Sequence, residues 1–424
     1  MIEFKEYTDE LLGESIFCGK HPSGLEIRVT PKKGYKSSYA VFAVKYGSID
    51  TALPDGKGSW KSIPEGTAHF LEHKLFESED LDAFERFAKT GASANAFTSF
   101  EQTAYLFKGS DDIYKSLEIL LDFVQSPYFT KETIEKEQGI IGQEISMYND
   151  IPDWAVMFNL LKALYKHHPV RIDIAGTQSS IAQIDDKLLY SLYETFYNPS
   201  NMILSIAGGV NPKEVFEFIE DKIKYEKKEV PERRFIKETS LPVQKEIKQA
   251  LSVNRSQYLL GFKEELDKPD ISLKTEMASE MLLEILCGKS SNLYKKLLES
   301  GFGDNSFGSE YFSGYGYSAF LMGSPSNSPE KAIELIKEEI DKLKNNGIST
   351  EKFDTVKKKM YGRLVMGYND IDDIANEQVS LYFSGDEPFS ELKTCKQITI
   401  EDVEQRLNVL DENSSAVSII VPKE

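Results

Sequence analysis

The chain has 424 residues, 40% of them hydrophobic and 11% aromatic, which is ample for two globular cores and unlike a disordered protein. Its 50 Lys and Arg against 69 Asp and Glu give a net charge of −19, which argues against nucleic-acid binding, because phosphates need clustered cations. The opening MIEFKEYTDELLGES has no basic segment followed by an apolar run, and no uninterrupted apolar stretch of about 18 residues follows, so the expectation is a cytoplasmic protein with no membrane span.

In chain order, strands are predicted at about 14–31 and 38–48, followed by the most informative element, a helix carrying His69-Phe70-Leu71-Glu72-His73. At about 3.6 residues per turn, His69 and His73 lie one above the other, so both rings can reach one metal ion while Glu72 flanks them. Zinc takes nitrogen or carboxylate ligands at ~2.0–2.2 Å, and a catalytic site keeps a position open for water beside three protein ligands. The order is H-x-x-E-H, the inverse of the commoner H-E-x-x-H, and it leaves Glu72 as the candidate base. The chain owns only five histidines (His21, His69, His73, His167 and His168), which argues against chance placement of two of them around a glutamate.

A helix at 80–90, a strand pair at 92–109 and helices at 111–126 and 130–149 come next. Ala94, Asn95, Ala96 and Phe97 fall on a strand predicted to lie beside the metal helix. From the residues alone, an ordinary sheet strand explains them equally well. On the 130–149 helix, Glu137 and Glu144 are seven residues apart, so two turns return them to one face with about 20° of drift. One would ligate and the other support. Carboxylates on a helix are usually a solvated face, but Ile134, Ile140, Ile141 and Ile145 indicate that this helix is packed.

Helices follow at about 153–166 and 184–197, then a strand at 201–209 and a helix at 211–224. His167-His168 reads as a loop pair, with metal ligation a remote second reading. Residues 226–245 are charge-rich with two prolines and no apolar period, and are read as a linker between domains at 1–225 and 246–424. Long helices are expected near 271–287, 328–345 and 350–368. Gly301, Gly303, Gly308, Gly314 and Gly316 lack the spacing of a phosphate-binding loop and read as turns. Cys18, Cys287 and Cys395 are far apart and outside any C-x-x-C spacing, so they read as reduced thiols.

The two halves repeat. Thr130, Gly142 and Tyr148-Asn149-Asp150 fall on Thr350, Gly362 and Tyr368-Asn369-Asp370 at a constant offset of 220. In the second copy Glu137 becomes Lys357, Glu144 becomes Leu364, and no histidine follows His168, so that half cannot rebuild the site. Blocks of strands and helices without regular β-α-β alternation predict an α+β fold: two homologous domains, each a mostly antiparallel sheet with helices packed on one face.

These residues resemble the pitrilysin and mitochondrial-processing-peptidase family of inverzincins, over nearly the whole chain. The likeness rests on PEGTAHFLEHKLF at 64–76, GASANAFTSFEQTAYLF at 91–107, HPVRIDIAGTQSSI at 168–181 and NPSNMILSIAGGV at 198–210. It is nearest to small cytoplasmic bacterial members encoded as active and inactive partners. The resemblance implies Glu144 as third ligand of one zinc per chain, Glu137 as a supporting catalytic group, and a peptide substrate added as a strand along Ala94–Phe97. It also implies an arginine and a tyrosine, written R-x6-Y, on the half without metal. Here the matching positions are near Leu298 and Asp304, and no arginine lies between Arg255 and Arg363. The expectation is therefore a zinc endopeptidase whose homologous inactive subunit supplies that pair, or else a homodimer in which Tyr311, Tyr315 or Tyr317 substitutes. The rival readings are a non-catalytic assembly subunit of the same fold and a metal-bound regulator or peptide-binding chaperone. The acidic charge serves solubility or, if it lines a cavity, favours basic peptides.

Overall fold

The computed structural model describes residues 2–55, 57–79, 81–110 and 112–423. In chain order the strands are β1 (Phe4–Asp9), β2 (Glu14–Lys20), β3 (Glu26–Pro31), β4 (Ser38–Val44), β5 (Ala52–Pro54), β6 (Trp60–Ser62), β7 (Ser93–Thr98), β8 (Thr103–Gly109), β9 (Met202–Gly208), β10 (Glu246–Leu251), β11 (Ser256–Lys263), β12 (Gly308–Gly314), β13 (Tyr317–Ser326) and β14 (Ser415–Pro422). The helices are α1 (Thr67–Leu75), α2 (Ala83–Ala88), α3 (Ile113–Val124), α4 (Lys131–Asn149), α5 (Pro152–Leu164), α6 (Gln178–Ile181), α7 (Asp186–Phe196), α8 (Pro212–Glu220), α9 (Leu273–Cys287), α10 (Asn292–Ser300), α11 (Pro329–Asn346), α12 (Thr350–Gly367), α13 (Ile371–Ser384), α14 (Ser390–Gln397) and α15 (Ile400–Arg406). Asp80 and Asp111, where two of these helices were expected to begin, lie outside the described residues. No described helix is long and apolar enough to cross a membrane.

The predicted strand at 14–31 is two strands. Pro22 and Gly24 break it: the Gly24 N–H donates to the His21 carbonyl at 2.8 Å, which closes a turn between β2 and β3. Residues 223–245 contain neither helix nor strand.

The chain forms two compact units, one of Met1–Gln143, Asp173–Arg234 and Val365–Ser390, the other of Glu144–Ile172, Phe235–Leu364 and Glu391–Glu424. The first holds a seven-stranded sheet in the order β1-β2-β3-β9-β4-β8-β7, in which only β3 and β9 run parallel. Strands β4 (SYAVFAV) and β9 (MILSIAG) are buried along their whole length, as continuous apolar runs in a sheet covered on both faces should be. Helix α3 packs on β8 and β4, while α13 packs on β9, β4 and β3.

The second unit holds a five-stranded sheet in the order β10-β14-β11-β13-β12, with β10 and β14 parallel. Tyr258, Leu260, Phe262 and Ile419 point into a core built with α9 and α11. Their neighbours Leu259 and Ile420 pack instead with Val156 of α5. Successive strand residues face opposite ways, so α5 covers the second face of this sheet, beyond the helices expected on the first. Helices α5 and α13 occupy matching places in the 220-residue repeat. Each serves the sheet of the unit that the other half of the chain mainly builds.

Candidate metal centre

Helix α1 starts at Gly66, which adopts the left-handed φ of 82°. A Cβ there would stand 2.3 Å from the carbonyl oxygen of Ala175, and one on Gly176 would stand 2.5 Å from that of Glu65. Only glycine tolerates both the conformation and the approach, so the loop at 173–177 fixes the start of the helix backbone to backbone. Ala68, Phe70, Leu71 and Leu75 then bury the helix, and His69 and Glu72 are themselves buried.

One ligand atom from each of His69, His73 and Glu144 lies within 4.8 Å of the others, the one such grouping of three metal-binding side chains among the described residues. At bonds of ~2.0–2.2 Å, two ligands of one ion can stand at most ~4.4 Å apart, so small side-chain rotations would close this group on zinc. Two imidazoles and one carboxylate also suit zinc chemically. The residues fit the metal.

Around the group, supporting contacts take hold of individual side chains. The Nδ1 atom of His73 lies 2.9 Å from Oε1 of Glu137, the kind of contact that orients a metal-bound imidazole. Burial works to raise the Glu137 carboxyl, but the His73 ring and the charges of His73 and Lys74 outweigh it and hold the group below its ordinary value. Thr98, at the end of β7, donates its hydroxyl proton to Oε2 of Glu72 at 2.6 Å. Tyr148, one turn beyond Glu144 on α4, donates to Oε1 of Glu144 at 2.7 Å, and its ring stacks on Trp154 at 4.7 Å and 17°. Lys74, fully buried beside His73, pairs with Glu77.

Ala94, Asn95, Ala96 and Phe97 lie on β7, the last strand of the sheet among the described residues. The Ala96 N–H donates to Oδ1 of Asn95 at 2.9 Å, so it stands outside the β8 ladder and faces the open side. Of the remaining histidines, His168 is a buried structural residue that accepts from the Val170 N–H at Nδ1 and reaches the Tyr315 carbonyl with Nε2, both at 3.1 Å. His21 bridges Ser23 and the Glu220 carbonyl. Leu298 is exposed on α10, and Asp304 is bound to Arg255 at 2.8 Å.

Sequence reasoning missed the roles of Tyr148, Thr98 and Lys74. For Tyr148 a signal existed, since it sits four residues after Glu144 on one helix face. For Thr98 the signal was weaker: strand alternation puts it on one face with Ala94 and Ala96, but nothing local says that Glu72 lies opposite. Lys74 offered none, because its burial depends on the packing of the whole helix.

Two family models cover most of the chain: that of the insulinase family (peptidase family M16) matches residues 56–178, and that of the peptidase M16 inactive domain matches residues 183–360. A Bacillus subtilis protein described as an uncharacterized zinc protease, YmfH, is 42% identical over 435 residues and covers 100% of both chains. The structure of an M16-like protein from Alicyclobacillus acidocaldarius matches with a TM-score of 0.91 at 35% identity, covering 100% of this chain and 99% of that one. The beta subunit of the Bos taurus mitochondrial-processing peptidase is 34% identical over 157 residues, 36% of this chain and 32% of its own. A metal-ligand group built on H-x-x-E-H, a duplicated α+β architecture and an end-to-end relative all agree: the chain belongs to peptidase family M16.

Proposed function

We propose that the chain is a zinc-dependent endopeptidase that hydrolyses peptides or small unfolded proteins in a chamber closed by a homologous subunit. The observation that carries this reading is the convergence of His69, His73 and Glu144, with Glu72 on the same helix. Zinc bound there would lower the pKa of a water toward neutrality and polarise the scissile carbonyl. Glu72 takes a proton from the attacking water and later hands it to the leaving amine. Glu137 holds the His73 ring in the orientation that keeps Nε2 toward the metal. The open side of β7, where the Ala96 amide faces outward, is suited to receive the peptide backbone as an added strand, with Ala94, Asn95, Ala96 and Phe97 along it.

The partner is argued from what these positions carry. Donors aimed at developing charge commonly contribute 10²–10³ in rate, and Leu298 and Asp304 provide none. Of the tyrosines that could substitute in a homodimer, Tyr311 has its hydroxyl held by Glu264 and Arg406, and Tyr317 is buried. Tyr315 is half-buried and keeps the homodimer as the alternative to a heterodimer whose other subunit brings an arginine and a tyrosine. The second family model, described as an inactive domain, spans residues 183–360 and so includes Lys357, which stands in place of Glu137 in the repeat.

The test is Glu72→Gln with zinc content and peptide cleavage measured together, each chain alone and with its homologous partner. The expected result is one zinc per chain in both proteins, cleavage by the parent, and none by the variant. A zinc-loaded parent that cleaves no peptide with or without the partner would favour a binding role instead.

A further inference from the structure

We propose that Thr98 is the positioning residue of Glu72, and that it ties alignment of the base to the strand along which a peptide would dock. The inference rests on the peptidase reading above. A glutamate side chain has three rotors and many ways to point, and a base is useful only while one oxygen faces the reacting water. Oε2 of Glu72 lies 2.6 Å from the Thr98 hydroxyl, a short distance in the range of a bond from hydroxyl to carboxylate.

The surroundings fix the direction of that bond. Thr103, paired with Thr98 across the hairpin, lies 3.3 Å away hydroxyl to hydroxyl. Thr103 has its own proton on the Tyr46 carbonyl at 2.9 Å, so it does not supply one to Thr98. The single Thr98 proton is therefore left for Glu72. The Thr98 hydroxyl therefore holds Oε2 from the sheet side.

The placement adds the coupling. Thr98 is the last residue of β7 and shares a face with Ala94 and Ala96, the face toward α1. The strand along which a peptide would be added, paired with β8 along its whole length, thus ends on the hydroxyl that aims the carboxylate.

Thr98→Val keeps the branched shape and removes the donor, and Thr98→Ser keeps the donor. Thr98→Val is expected to lower kcat by about 10–100-fold with KM and zinc content within about twofold of the parent, and Thr98→Ser to restore most of the rate. Crystal structures of the zinc-loaded proteins give a second readout: Glu72 should leave its position in Thr98→Val and keep it in Thr98→Ser. An unchanged kcat in Thr98→Val, a valine variant that loses zinc in step with rate, or a Glu72 that stays in place without the hydroxyl would each overturn the proposal. If the parent itself shows no peptidase activity, the peptidase reading fails, and the Glu72 position in the two variants still decides the role of Thr98.

Discussion

Glu137 grips His73 through Nδ1 at 2.9 Å, while Glu144, seven residues later on α4, joins the two histidines in the ligand group. In the proposed function, one helix thus carries a carboxylate for the metal and a carboxylate for its ligand. Two turns of α4 separate the tasks, and substitution should separate them too.

Glu144→Gln is expected to lose zinc. Glu137→Gln should keep most of it and lose about 10–100-fold in rate, as changes to the partner of a metal-bound histidine commonly do. Metal analysis of both purified variants, alongside cleavage rates, checks this. Metal loss in Glu137→Gln with retention in Glu144→Gln would exchange the roles.

Tyr148→Phe removes the hydroxyl at Glu144 and keeps the ring stacked on Trp154. The fold should hold, with Tm within a few degrees of the parent. Zinc should bind about 10-fold more weakly in competition with a chelator. Equal affinity in the two proteins would show that Glu144 needs no such support.

Acid sensitivity should trace in part to Glu238. Its buried carboxylate accepts the N–H groups of Lys166 and His168 and lies 2.7 Å from the ammonium of Lys263, which is fully buried. Burial works against the charged form, yet Lys263 and the N–H donors hold the carboxyl down to about 2. A depressed folded pKa gives stability that is present above the ordinary value of 4.5 and is lost as pH falls from there toward 2. Glu238→Gln leaves Lys263 buried without its counter-charge and should cost about 3–5 kcal/mol at pH 7. Urea denaturation at a series of pH values should show that difference shrinking below pH 4.5.

Gly66→Ala should destabilise the protein by about 2 kcal/mol or more, because φ is 82° and the new Cβ would meet the Ala175 carbonyl at 2.3 Å. Since the strain falls on the first turn of the metal helix, zinc affinity should weaken with Tm. A variant with parental Tm would mean that the loop at 173–177 yields easily.

The local parts of this site were open to reading from the chain alone. His69 and His73 share a face by helix geometry, and so do Glu137 and Glu144, because 3.6-residue periodicity acts over a few residues. Which glutamate ligates was not legible that way, since both point the same way and only the distance to α1 separates them. The division of 14–31 into two strands was signalled by Pro22 and Gly24, whose turn chemistry outweighs the apolar pattern around it. The destinations of α5 and α13 were not legible: Val156 reads simply as an apolar helix residue, α13 was not among the expected helices, and the sheet each one covers is set by contacts far away in sequence.

That exchange of helices has a consequence for how the protein is made. During synthesis β4 and β9 emerge early and pair, but α13, which packs on both, is added only after most of the second half has been translated. Until then the apolar runs of β4 and β9 lack that cover, a state that invites aggregation. A gene cut within residues 226–245 should therefore yield an N-terminal fragment that precipitates by itself and is rescued by supplying residues 365–390 in trans.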